Sequence, residues 1–137
     1  MKDMRESLIE FILRHGEFSD DVFTEDVPFE GNCSAIDAET DKQSEDWIRQ
    51  ELASGNLCAW CCYAVTAKLC GYKESVYLGG CSYKSFQDLH DCEFETQKTE
   101  AAYQLADRLL ADYARIGQIL DAVKHGLTLE RLFSQAK

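Results

Sequence analysis

The feature that most restricts what this chain can fold into is a stripe of apolar side chains near its C-terminus. Ala102, Leu105, Leu109, Tyr113, Ile116, Leu120 and Val123 recur at steps of three and four. That spacing puts them on one face of an α-helix predicted over about residues 96–125. Such a face must be covered, and a helix of roughly 30 residues reaches about 45 Å, more than a two-stranded sheet needs. The surplus therefore calls for a second cover, either the first helix of the same chain or the same helix of a second copy. Candidate self-association residues are Leu109, Tyr113, Ile116, Leu120 and Val123. Gly117 weakens the helix locally by about 1 kcal/mol relative to Ala. Lys124-His125-Gly126 forms a stop, after which Thr128 is placed to cap a short final helix holding Leu129, Leu132 and Phe133.

Upstream, Met4, Leu8, Phe11 and Ile12 share a face at helical spacing and predict a first helix over 3–14, stopped by Gly16. A second helix is expected from Asp41 or Ser44 to Ser54, with Trp47, Ile48 and Leu52 as its apolar stripe. Between them, residues 17–35 read as an irregular acidic connection bearing aromatic groups. From Leu57 to Leu69 charges almost vanish and Trp60, Tyr63, Val65 and Thr66 favour strand. At period two, Ala59, Cys61, Tyr63, Val65, Ala67 and Leu69 share one face, and the other face is also apolar until Thr66, as in a covered central strand. Residues 70–74 serve as a hairpin connection, and 75–83 as the second strand. There Val76 and Leu78 fall on one side and Tyr77, Cys81 and Tyr83 on the other, with a bulge at Gly79-Gly80. Ser85 and Asp88 have capping-box spacing for a short helical turn, followed by a polar break over 91–95. The expected architecture is a single α+β domain: two N-terminal helices, a central antiparallel β-hairpin, and a long C-terminal helix followed by a short one.

Charge divides the chain into three parts. Asp and Glu outnumber Lys and Arg by 15 to 5 in residues 1–57, equal them at 3 to 3 in 58–92 and exceed them by only 7 to 6 in 93–137. The net charge of −11 thus belongs to the front segment, ahead of a cysteine-rich hairpin segment and a helical one. An acidic surface repels phosphate backbones, so direct nucleic-acid binding is not expected, although Lys68, Lys73 and Lys84 cluster in sequence near the hairpin. No apolar run approaches the roughly 18 residues of a membrane span. The opening Met1-Lys2-Asp3-Met4-Arg5-Glu6 does not read as a secretory signal, which leads to an expected cytoplasmic location.

Six of the seven cysteines lie between Cys58 and Cys92. An odd number with adjacent Cys61 and Cys62 fits reduced thiols better than a disulfide framework. Cys58-Ala59-Trp60-Cys61 has CxxC spacing, with Cys62, Cys70, Cys81, His90 and Cys92 as further possible ligands. It enters a strand rather than a turn, and His90-x-Cys92 is too short for a second half-site. Metal binding through this cluster stands as an alternative, and no cofactor is expected. For nucleophilic catalysis only His15, His90 and His125 could serve as base, and only His90, near Cys81 and Cys92, has suitable neighbours. No catalytic residue is assigned. The acidic pairs lack a calcium-loop pattern, and neither a P-loop nor a dinucleotide glycine pattern occurs.

One likeness rests on the hairpin. Gly55-Asn56, Ala59-Trp60-Cys61-Cys62, Leu78-Gly79-Gly80-Cys81-Ser82-Tyr83, then Ser85 and Asp88, resemble a motif of small uncharacterised proteins of bacteriophages and bacterial mobile elements. It covers about residues 47–91 and carries no known activity. The resemblance implies a bacterial or phage cytoplasm as setting.

Together these features favour a non-enzymatic protein-binding role for the acidic segment, directed at a basic protein surface. A phage-encoded inhibitor of a host nucleic-acid-binding protein would have this charge. The expected contact residues are Glu17, Asp20, Asp21, Glu25, Asp26 and Glu30, with Phe23 and Phe29 as apolar anchors. The alternative is a structural or self-assembling protein, a homodimer through the long helix.

Overall fold

A computed structural model describes residues 3–33 and 37–124, apart from the side chains of Ala122 and Lys124. The described chain is α+β, with three α-helices and a three-stranded antiparallel sheet in the order β1-β2-β3. The elements are α1 (Met4–His15), β1 (Glu17–Thr24), α2 (Ala38–Ala53), a single 3-10 turn (Leu57–Ala59), β2 (Cys61–Leu69), β3 (Tyr72–Cys81) and α3 (Phe86–Lys124). The expected final helix at 128–133 lies outside the described residues.

The sheet has one strand more than the hairpin expected from the sequence. Residues 17–24 form a regular strand paired with β2, Glu17 opposite Lys68 through Thr24 opposite Cys61. Its alternation is disguised because an acid, Asp20, occupies the inner face while an aromatic, Phe23, occupies the outer one. This makes β2 the central strand, and its inner face of Cys61, Tyr63, Val65 and Ala67 is fully buried.

Across the inner face run four rows: Phe18, Ala67 and Glu74; Asp20, Val65 and Val76; Val22, Tyr63 and Leu78; and Thr24, Cys61 and Cys81. Helices α3 and α1 cover them through Leu89, Ala101, Ala102, Leu105 and Ala106 of α3 and Ile9 and Ile12 of α1. Each large aliphatic side chain buried there contributes about 1.5–3 kcal/mol. The expected bulge is present: Tyr63 pairs with Leu78 but Cys61 with Cys81, so three positions of β3 span two of β2. The extra residue corrects the expected facing of β3. Cys81 is turned inward to join Val76 in the core, while Tyr77 stays outside.

Gly80 carries the bulge at φ 65°, and a side chain there would meet the Trp60 ring at 3.5 Å. Trp60 itself anchors a smaller second core with Ile48 of α2 and Ala59, flanked by Phe29, Cys33, Trp47 and Leu52. Its indole N–H donates to the Val27 carbonyl at 2.6 Å. Because Trp60 precedes inward-facing Cys61 in extended backbone, it lies on the outer side of the sheet, where this core closes off one end.

Two helix boundaries differ from expectation. α2 begins one turn early, capped by Asp37, whose carboxylate accepts the Thr40 N–H at 2.8 Å. α3 starts at Phe86, with Ser85 accepting the Asp88 N–H at 3.1 Å, and continues through the predicted break at 91–95. Glu93 in this segment accepts from Tyr83, just beyond β3, at 2.7 Å, and His90 immediately before it reaches Asp20 of β1.

Candidate functional site

The outer face of the sheet is built from the opposite parity of the same strands. Its rows are Glu17, Lys68 and Lys73; Ser19, Thr66 and Ser75; Asp21, Ala64 and Tyr77; and Phe23 beside Cys62. Among the described residues no helix lies over the middle rows. They line an open depression of about 400 Å³ bordered by Ser19, Asp21, Phe23, Ala64, Thr66, Ser75 and Tyr77. Phe23 is 49% exposed and Tyr77 67%, whereas Ala64 beneath them is 5% exposed. The hydroxyls of Thr66 and Ser75 bond to each other across the floor at 2.7 Å, which leaves the two aromatic rings as its most prominent apolar groups.

Charge is graded along this face. At the bulge end, Phe23 leads into the acidic turn Glu25-Asp26. At the hairpin end, Lys68 and Lys73 stand opposite each other, a like-charge pair that is unfavourable unless solvated or matched. Those two lysines, with His15, Glu17, Cys70 and Tyr72, border the larger cavity, of about 480 Å³. Lys84 follows β3, whose bulge end lies away from the hairpin turn, so the three lysines do not form one grouping.

The eight acidic-segment residues expected to bind a partner divide between outward-facing positions and ones engaged by the fold. Glu17, Asp21 and Phe23 face outward on β1, and Asp26 is exposed in the following turn. Asp20 instead points to the inner side, where one carboxylate oxygen takes the Tyr63 hydroxyl and lies against His90 Nδ1, both at 2.6 Å. Glu25 folds back to accept the Gly80 N–H at 2.7 Å and the Val27 N–H at 3.1 Å. Those backbone donors, Gly80 first, lower its carboxyl pKa. Phe29 packs edge-on against Trp60, with the Arg49 guanidinium over its ring. Glu30 sits 3.6 Å from Arg49.

His90 therefore finds its partner in Asp20 rather than in Cys81 or Cys92. A carboxylate oxygen accepts, so Nδ1 is the donor in this bond. Phe94 stacks on the ring at 4.5 Å, with Phe86 at 6.4 Å. The spacing Phe86, His90, Phe94 is i, i+4, i+8, a signal of one helical face that was available in the sequence. This Asp–His pair shows no hydrogen bond to a serine or cysteine side chain among the described residues.

The cysteine cluster is mostly interior. Cys58, Cys61 and Cys81 are buried, Cys33 and Cys62 are half-buried, and all seven thiols are free. The Cys61 S–H donates to Cys81, and that bond together with burial pushes the Cys61 thiol far up, while desolvation raises Cys58 and Cys62. Such thiols are neutral and weakly nucleophilic. Among the described residues no three His, Cys, Asp or Glu side chains are grouped to hold a metal ion, and no helix is long and apolar enough to cross a membrane.

Comparisons with protein-family models, with curated proteins and with solved structures give no match.

Proposed function

We propose that this chain is a protein-binding protein whose outer sheet face and adjoining acidic turn engage a basic surface of another protein. The observation that carries this reading is the pair of exposed rings, Phe23 and Tyr77, standing beside Asp21 over a sheet face that no described helix covers, with exposed Asp26 in the turn that follows β1. Aromatic anchors with acids concentrated toward one end of the face combine apolar burial with steering of an oppositely charged partner. The contact set in this reading is Glu17, Asp21 and Phe23 of β1, Asp26 of the following turn and Tyr77 of β3. Asp20 and Phe29 serve the fold instead. A partner built to hold nucleic acid would offer the complementary basic patch, as expected of a phage-encoded inhibitor.

Affinity capture from a bacterial lysate, followed by purification of the captured protein, supplies the partner for a quantitative test. A variant carrying Glu17→Gln, Asp21→Asn, Asp26→Asn and Tyr77→Ser is expected to bind at least tenfold more weakly. Wild-type affinity should also fall steeply between low and high salt. Equal affinity of the two proteins, with unchanged circular dichroism, rules out this face as the binding surface.

A further inference from the structure

The 39 residues of α3 span about 58 Å, while the ten-residue β3 spans about 33 Å. The helix consequently outruns the body it covers. Its apolar stripe is fully buried at Ala102 and Leu105 and half-buried at Leu109. Beyond that, Tyr113 is 77% exposed, Ile116 51%, Leu120 64% and Val123 56%. α1 does not reach this stretch. It packs beside the buried half, where Arg5 pairs with Asp107 at 2.7 Å and stacks on Tyr103. Among the described residues, α1 therefore gives no cover to the stripe beyond Leu109.

We propose that the Leu109–Val123 face of α3 is a homodimer interface, occupied by the same face of a second copy. Its spacing, at steps of four, three, four and three, is that of a two-helix seam. An isologous contact requires a self-complementary surface, and the sequence of this stretch is neutral, with Asp112 and Asp121 against Arg115 and Lys124. The acidic segment, 15 acids to 5 bases, would repel its own copy and lies on other elements. The same balance speaks against the other candidate occupants. A basic partner finds no excess of acid here, and a membrane-surface helix would carry mainly Lys and Arg on its polar face. Gly117 agrees with an open seam, since a side chain there would meet nothing within 4 Å.

The seam is short. Four to five side chains per helix bury on the order of 1,000 Å² in total, near the lower limit for a specific contact, so a dissociation constant of about 1–100 µM is expected. Sedimentation equilibrium of the full chain from about 1 to 300 µM should show the mass rising from 15.6 kDa toward twice that value. Raising salt should leave the association intact or strengthen it, because the acidic segments repel less. The variant Ile116→Glu/Leu120→Glu, at exposed positions, should stay monomeric with unchanged circular dichroism. A wild-type monomer throughout, or a dimer unaffected by the double variant, overturns the proposal. So does a wild-type monomer that dimerises only after removal of residues 125–137, which would make that segment the cover.

Discussion

Asp20 is one acid among fifteen in the front segment, yet its position in the strand gives it a different task from Asp21. Facing inward, it is the shared acceptor for Tyr63 and His90 and so ties β1 to both β2 and α3. Asp20→Ala leaves a buried phenol without its partner and should cost about 1–3 kcal/mol, read from urea unfolding. Asp21→Ala, on the outer face, should change stability by no more than about 0.5 kcal/mol. Equal effects would show that the inner pairing adds nothing. The tyrosines give a second prediction. Burial, then the bond to Asp20, raises the Tyr63 phenol pKa, and burial, then the bond to Glu93, raises Tyr83. A raised folded-state pKa means that their contribution to stability is whole below the ordinary phenol value of about 10 and disappears as pH climbs above it. In a titration followed at 295 nm, the last part of the rise should coincide with unfolding and should be lost in Tyr63→Phe/Tyr83→Phe. A rise complete before unfolding begins would refute it.

At the scale of elements, two glycines with the same intrinsic helix and strand penalty have opposite roles. Gly80 holds the β3 bulge at positive φ against the Trp60 ring, with its N–H bonded to Glu25. Gly80→Ala should destabilise the protein by about 1–2 kcal/mol through left-handed strain. Gly117 lies in regular helix with open space around it, so Gly117→Ala should stabilise by about 1 kcal/mol. Thermal melts of the two variants should therefore move in opposite directions, and a shift of the same sign would contradict this placement. The pair also marks what could be read without coordinates. A glycine doublet inside a strand pattern announces its bulge, but whether a helical glycine is crowded depends on neighbours distant in sequence. The same limit hid β1. Its period-two pattern is intact by parity, but Asp20 is inward because α3 supplies His90, 70 residues away.

Across the whole molecule, net charge of −11 opposes compaction, and added salt should relieve it. The melting temperature is expected to rise by a few degrees between about 10 and 300 mM NaCl. A fall would indicate that exposed ion pairs such as Arg5–Asp107 and Arg108–Glu74 outweigh the general repulsion. Local signals in the sequence sufficed for an α+β chain with a central strand, a bulge at the glycine pair and an overlong apolar stripe, but not for where α2 and α3 begin. The acidic segment was visible as a composition, but its sorting into outward Asp21 and inward Asp20 was not. That distinction arises when a strand pairs in one register with β2 and a helix closes over only one face. Likewise, the stripe of α3 was legible as apolar from end to end. Which half of it the molecule buries was decided by how far the sheet and α1 extend beneath it, a property of assembled elements rather than of any stretch of sequence.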